Sequence, residues 1–351
     1  MNTFQKHYKA LRNGDIKHYD IVLCIKSYAK TKGKKNFFRQ MKELFILSFY
    51  WKSFPYQYFM YFMYLNNCTL SIEEMKKYIS NRKWFKMVDV KYRIICDDKN
   101  IASDLLSYYG FWQPEISLKY YKGLFFDGKS QILNDSEANL VIASLKHEKV
   151  FLKSSDESGG INIFSFKRKE NGVYENADGV LSTEYIRKHC SDHHFMLQEG
   201  IVQDDLLSKL NPDSVNTIRI LTKNEKGKVT IKSSSIRLGR KGKSVDNLRQ
   251  GGVLVHVNIE TGELDKVAKT YFDENLYYEH PDSHIVFDGI RLNRWDEVKS
   301  VAQKAAQHFY QMKYVGWDIV ITKTGVCILE MNKRPDIYLI QLSDGGLADI
   351  I

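Results

Sequence analysis

The sequence predicts an α+β protein with antiparallel sheets, preceded by a helical N-terminal region. Three observations predict it. From about residue 91 onward, short β-rich runs bounded by Gly, Asn or Asp follow one another. Few helical patterns come between them, which argues against a doubly wound parallel sheet. Finally, residues 1–90 hold 17 Lys and Arg against 6 Asp and Glu, while the remainder of a chain of net charge +10 is close to neutral. Charge and pattern therefore change at the same place.

The bulk composition excludes several classes. With 351 residues the chain can bury one large composite core or two medium ones. It is 43% hydrophobic and 27% charged with only five prolines, which fits neither a collagen-like, a low-complexity nor a disordered chain. Five widely spaced cysteines (Cys24, Cys68, Cys96, Cys190 and Cys327) suggest neither a zinc site nor a disulfide framework. MNTFQKHYKA lacks the apolar stretch of a signal peptide, so a reducing cytoplasm is expected. A nucleic-acid enzyme would carry positive charge around its working site, but here it is confined to the N-terminal region; no nucleic-acid partner is expected.

Residues 1–90 read as helical. Within them Phe45 to Tyr64 contains eleven aromatic residues, but Lys52, Pro55 and Gln57 argue against a membrane span of about 20 mostly apolar residues. Two readings remain: a helical layer packed on the catalytic body, or a basic aromatic surface that docks on anionic membrane at the inner face. Farther on, strands are expected at Val150–Lys153, Asn162–Phe166, Phe195–Gln198, Val215–Thr222, Val229–Leu238 and Gly252–Asn258. Helices are expected at Ile101–Tyr109, Asp135–Lys146 and Arg294–Gln311. The last keeps Val298, Ala302, Ala305 and Phe309 on one face, with Asn293 placed to cap its start.

The most informative segment is GWDIVITKTGVCILEMNKR, Gly316 to Arg334. Two β-rich runs flank Lys323-Thr324-Gly325, a three-residue loop with Gly in the left-handed position. That loop pairs Thr322 with Val326, Val320 with Ile328 and Asp318 with Glu330, and puts Asn332 on the same face. Two opposed carboxylates repel. A divalent cation removes the penalty, and two carboxylates with an amide oxygen are hard ligands suited to Mg²⁺ shared with phosphates. A solvated face with accidental acids is the bland alternative; the apolar opposite face (Trp317, Ile319, Ile321, Leu329 and Met331) favours the register.

Two segments offer donors to phosphates. In VFLKSSDESGGINI a strand delivers Lys153 into a Ser/Gly loop, Ser154 to Gly160, whose backbone N–H groups can approach an anion. In IRLGRKGKSVDNLRQGG, Arg237 ends a strand and a loop carrying Asn247 returns to the next one. Each alone is weak, since such loops are mostly turns.

Together these pieces resemble the ATP-grasp superfamily, in particular its sugar-transfer-associated family of bacterial surface-polysaccharide clusters. The resemblance rests on DDKN (97–100), YGFWQPE (109–115), FLKSSDESGG (151–160), FMLQEGIVQ (195–203), SVNTIRILT (214–222), DNLRQGG (246–252), GWDIVIT (316–322) and LEMN (329–332). Over residues 90–351 it implies two α+β lobes with ATP between them, an N-terminal lobe at 91–197 and a C-terminal lobe with the metal site at 198–351; the basic helical region at 1–90, read from its own residues, precedes them. It implies ATP and one or two Mg²⁺ ions as cofactors. Lys153 matches the lysine on the ATP phosphates, and Ser155, Ser158, Gly159 and Gly160 match the loop that closes over them; Lys99 is the second nucleotide lysine. Gln198, Glu199 and Ile201 match the hinge that holds adenine and ribose, with Asp204 or Asp205 sharing the ribose. Arg219 and Arg237 match positive positions near the transferred phosphate and the substrate carboxylate, and Asn247 lies in the NxxxGG loop. Asp318, Glu330 and Asn332 match the magnesium ligands. Met331 departs from the glycine the family often has there, and the basic N-terminus has no counterpart in the generic core.

The implied activity is carboxylate–amine ligation through an acylphosphate, with small-molecule substrates that are free, sugar-linked or lipid-linked. Asp318→Asn or Glu330→Gln is expected to abolish ADP formation and leave the fold intact. A phosphotransferase using the same nucleotide site and a non-catalytic nucleotide-binding protein are the rivals. Neither a GxSxG elbow nor an HExxH pair is present.

Overall fold

A computed structural model describes residues 18–88, 91–92, 94–156, 162–190 and 193–349. Two antiparallel sheets organise them. The first has eight strands: β1 (Ile116–Tyr121), β2 (Leu124–Asp127), β3 (Ile132–Leu133), β4 (Lys149–Ser154), β5 (Ile163–Arg168), β6 (Tyr174–Asn176), β7 (Gly179–Val180) and β8 (His194–Glu199), in the order β3-β2-β1-β8-β4-β5-β6-β7. The second has six: β9 (Thr217–Glu225), β10 (Lys228–Leu238), β11 (Val253–Val257), β12 (Leu264–Lys269), β13 (Tyr314–Ile321) and β14 (Val326–Asn332), in the order β12-β11-β10-β9-β13-β14.

Helices cover both sheets. In chain order they are α1 (His18–Lys30), α2 (Phe37–Trp51), α3 (Tyr56–Met60), α4 (Ile72–Lys76), α5 (Asn81–Met87), α6 (Ile94–Asp97), α7 (Lys99–Tyr108), α8 (Asp135–Ser144), α9 (Thr183–Cys190), α10 (Asp205–Leu210), α11 (Trp295–His308) and α12 (Ile337–Asp344). On the first sheet, α8 begins at a capping box in which Asn134 and Glu137 satisfy each other's backbone N–H groups. Its Ala138 and Ile142 join Tyr185 and Ile186 of α9 in one core with Leu152, Phe166 and Leu197. On the second sheet, Val298, Ala302 and Ala305 of α11 pack with Trp317, Ile319 and Ile321. All eight residues of β13 are buried, because both faces of that strand are covered.

The opposite face of the second sheet takes the N-terminal helices. Trp84 and Ile79 pack with Leu221, Tyr314, Ile337 and Ile340, and the Trp84 indole donates to the Pro335 carbonyl at 3.0 Å. Gln341 of α12 accepts from the Ile79 N–H and donates to the Ile79 carbonyl, at 2.7 and 3.1 Å. Part of the aromatic stretch forms a core of its own within the N-terminal region, where Tyr58, Phe62 and Tyr64 are buried with Leu47 and Met63. No helix among the described residues is long and apolar enough to cross a membrane.

Several expected boundaries move for identifiable reasons. α7 starts at Lys99 rather than Ile101 because the Asp98 carboxylate caps it, accepting from the Asn100 and Ile101 N–H groups. Asn293 does not cap α11. Arg294 stands at that position in a left-handed conformation with no side-chain cap, and the Asn293 amide instead donates to Asp204 at 2.8 Å.

Candidate active site

The hairpin β13–β14 places Gly316 opposite Asn332, Trp317 opposite Met331 and Asp318 opposite Glu330. The turn differs from the one expected. Ile321 pairs with Val326 and Val320 with Cys327, so the loop is Thr322–Gly325, four residues long. Gly325 does not adopt a positive φ; the Thr322 hydroxyl accepts from the Thr324 and Gly325 N–H groups at 3.2 and 3.1 Å and shapes the turn instead. The longer loop slips the register by one residue, and a bulge between Asp318 and Ile319 on one side, Glu330 and Ile328 on the other, slips it back.

Strand order then surrounds Asp318 with cations. β9 lies beside β13 with Arg219 opposite Asp318, and both Nε and Nη2 of Arg219 donate to the carboxylate. From β10, Arg237 Nη2 donates to Asp318 Oδ2 at 3.0 Å. Asp318 is 4% exposed. Burial alone would raise its carboxyl, but Arg219 and Arg237 outweigh that and hold it below the usual carboxylate range. Arg237 also lies 3.5 Å from Asp246 and donates to the Thr217 hydroxyl at 2.9 Å through Nε. Burial disfavours its cation, yet Asp246, Asp318 and Glu330 together raise its pKa above the ordinary arginine value. The repulsion for which the sequence invoked a divalent cation is thus relieved here by two guanidiniums. The Asn332 amide points at the same group, Nδ2 being 3.5 Å from Asp318 Oδ2.

Lysines approach from the first sheet. β4 runs between β8 and β5, with Lys153 opposite Met196 and Ile163. Lys99, at the start of α7, is tied to the end of β4: its N–H donates to the Ser155 carbonyl at 2.9 Å and its ammonium to the Ser154 carbonyl at 3.3 Å. The Lys99 ammonium is 3.8 Å from Glu330. Burial pulls the Lys153 ammonium down to about 8; Glu330 opposes the shift and Lys99 adds to it. Lys99, Lys153, Met196, Gln198, Leu329 and Glu330 line one cleft between the sheets.

The hinge residues divide. Gln198 donates to the Pro114 carbonyl at 3.0 Å. The Glu199 carboxylate accepts from the Glu115 N–H at 2.9 Å and lies 3.0 Å from His147 Nδ1. Gly200 donates to the Lys149 carbonyl at 2.8 Å, an approach so close that a Cβ there would stand 2.7 Å from that oxygen. Ile201 packs on the core of the second sheet. The segment before β1 bridges both sheets, since the Trp112 carbonyl also accepts from Ile328 N–H at 3.0 Å.

Asp204, Asp205 and Asn247 do not line the cleft. Asp204 is buried and caps α10 through the Leu207 N–H at 2.8 Å. The Asp205 side chain is 77% exposed and ion-paired with Lys323 at 2.9 Å. Asn247 accepts from the Arg249 N–H at 2.9 Å and caps its own turn, while its neighbour Asp246 is the one that reaches Thr217 and Arg237. Ser155 is buried and its hydroxyl has no hydrogen-bond partner among the described residues. Ser158, Gly159 and Gly160 lie outside the described residues. Sequence reasoning missed Asp246 and Thr217; for Asp246 the available signal was its place beside Asn247 in DNLRQGG.

Chemically, the cleft offers an anion two lysines on one wall and a hard cation the Glu330 carboxylate on the other, with Asp318 and Asn332 beside it on the hairpin. Among the described residues no three His, Cys, Asp or Glu are arranged for a metal. Two carboxylates and an amide are nonetheless the donor set that Mg²⁺ takes when phosphates complete its shell.

The profile of a family described as sugar-transfer associated ATP-grasp matches residues 81–349. No curated protein matches the chain. Solved structures with a similar fold include D-alanine–D-alanine ligase from Bacillus anthracis, at 14% identity over 69% of this chain and 58% of that one, TM-score 0.37. N5-carboxyaminoimidazole ribonucleotide synthetase from Thermotoga maritima is similar at 12% identity over 69% and 43%, TM-score 0.37. The biotin carboxylase domain of Hydrogenobacter thermophilus 2-oxoglutarate carboxylase, solved with MgADP and bicarbonate, is similar at 14% over 74% and 47%, TM-score 0.40. The chain thus spans about half the length of such structures.

Proposed function

The chain belongs to the sugar-transfer associated ATP-grasp family, and from that premise we propose that it is an ATP- and magnesium-dependent ligase joining a carboxylate to an amine. Its substrate is a sugar or amino-acid component of a capsule or another surface polysaccharide, handled in the cytoplasm. The observation that carries this is the facing of Lys99 and Lys153 across one cleft from Glu330, with Asp318 and Asn332 beside it.

In this proposal Lys153 and Lys99 hold the ATP phosphates, and Gln198, Glu199 and Ile201 supply the hinge against adenine and ribose. Asp318, Glu330 and Asn332 would hold one or two magnesium ions, which when bound neutralise charge on the phosphates. Arg219 and Arg237 orient the substrate carboxylate. The carboxylate oxygen attacks the γ-phosphorus, the bond to ADP breaks, and an acylphosphate forms. The amine then adds to the acyl carbon, gives up a proton to solvent and expels phosphate, so that amide, ADP and phosphate are the products. Positioning and charge neutralisation carry the rate, and no side-chain nucleophile is required.

The test is ATP consumption with Mg²⁺ against a panel of uronic acids and amino acids, reading ADP, phosphate and product mass together. A product lighter by one water than the paired substrates is expected. A phosphorylated product without phosphate release makes the protein a phosphotransferase instead.

A further inference from the structure

Helix α2 packs one side on the protein and turns an apolar side outward. One side is buried through Gln40, Glu43 and Leu47, with Leu44 and Trp51 packed in the same cluster. At about 100° per residue, Phe37, Phe38, Met41, Phe45 and Phe49 fall on a second arc roughly 120° wide that faces away from it. These five are exposed, Phe45 by 74%, Phe49 by 82% and Phe38 by 83%. A surface helix ordinarily turns polar residues outward. Single exposed apolar residues need no explanation, but a contiguous stripe marks an interaction surface.

Charge identifies the partner. Residues 22–60 contain eight Lys and Arg and a single carboxylate, Glu43. That carboxylate is withdrawn from the surface: it accepts from Lys35 at 2.9 and 3.0 Å, from Arg39 at 3.1 Å and from the Tyr58 hydroxyl at 2.7 Å. Exposed charge on this segment is therefore entirely positive. Lys42 borders the stripe and Lys52 closes its C-terminal end, both exposed.

We propose that the outer face of α2 docks on an anionic lipid surface, its phenylalanines entering the boundary between headgroups and acyl chains while the surrounding lysines meet lipid phosphates. A 15-residue helix of this kind lies in the membrane plane rather than across it. A second copy of the chain fits less well, because a self-complementary contact would set cationic faces against each other. A nucleic acid would use the lysines and leave the phenylalanines without a role.

The full chain is sedimented with vesicles of phosphatidylglycerol and phosphatidylcholine in equal parts, and with phosphatidylcholine alone. Binding to the mixed vesicles only is expected, weakening as salt rises from about 0.1 to about 0.5 M. Phe38→Ser, Phe45→Ser and Phe49→Ser combined should lower the partition about tenfold or more, with an unchanged circular-dichroism melt because the positions are exposed. Lys42→Glu with Lys52→Glu provides an independent variant that should also release the protein from the mixed vesicles. The proposal is overturned if the wild type ignores anionic vesicles, or if the triple variant or the charge-reversed one binds as the wild type does. It is equally overturned if light scattering finds a dimer that the triple substitution dissolves while vesicle binding persists.

Discussion

On the wall built by the second sheet, Asp318 divides its oxygens between Arg219 and Arg237, and Arg237 is held in turn by Asp246. On the wall built by the first sheet, Lys153 and Lys99 face the field of Glu330, and burial still pulls Lys153 down to about 8. One wall is balanced internally; on the other, the buried Lys153 ammonium is held below its ordinary range. A balanced buried network holds its geometry because removing any member leaves an uncompensated ion. A buried ammonium with a lowered pKa is stabilised when an anion arrives beside it. In the proposed function the lysine wall captures phosphate and the arginine–carboxylate wall positions the substrate.

The strongest way to break this contrast is to unbalance the balanced wall. Asp318→Asn is expected to lower ADP formation about 10³-fold or more and also to cost on the order of 3 kcal/mol of stability, since two buried guanidiniums lose their shared carboxylate. Chemical denaturation reads the second effect. The sequence led to the expectation of an intact fold for this variant; the burial of Asp318 revises it. Glu330→Gln is the cleaner probe, because Glu330 is half-buried and faces Lys99 across the cleft rather than the two arginines. ADP formation should fall about 10²-fold with the denaturation midpoint unmoved. Full turnover in this variant removes Glu330 from the reaction.

The lysine wall predicts a smaller and pH-dependent effect. Lys153→Met should weaken ATP binding by about tenfold to a hundredfold, measured by calorimetry. In the wild type, affinity should fall as pH rises through about 8, where the Lys153 ammonium loses its proton, and the variant should lack that inflection. The stability sign runs oppositely. The folded-state pKa lies below that of an unfolded lysine, so the unfolded chain binds more protons between the two values. Unfolding free energy should therefore rise through that window in the wild type more than in Lys153→Met. A variant with the wild-type pH profile removes Lys153 from the phosphate site.

How far such contrasts were legible in the sequence depended on locality. The pairing of Asp318 with Glu330 could be read because both acids sit on one hairpin, and it was reached through a turn one residue too short that a bulge compensates. The hairpin β1–β2 left a readable sign that went unused: Lys122-Gly123 between two β-rich runs, both residues at positive φ as a two-residue turn requires. The arginine network was not readable, because Arg219 meets Asp318 only through the pairing of β9 with β13, strands nearly ninety residues apart. Nothing in local periodicity fixes such a pairing. Asp246 was passed over for Asn247 because both lie in one motif, and only burial shows which side chain turns inward.

Two neighbouring acids give the smallest effects and the sharpest separation. Asp204 and Asp205 were equivalent candidates for the ribose. Asp204→Ala removes the cap of α10 and the tie to Asn293, which should cost about 1–2 kcal/mol with a modest loss of ATP affinity, since the residue lies away from the cleft. Asp205→Ala removes only an exposed ion pair with Lys323; such pairs contribute little in water, so ATP affinity should stay within about twofold of the wild type. A tenfold loss in Asp205→Ala would instead mean that the segment from Ile201 to Asp205 turns toward the nucleotide when it binds. In that case the hinge, and not only the two walls, changes shape on closure, and Lys323 should exchange amide protons around it at different rates with and without ATP.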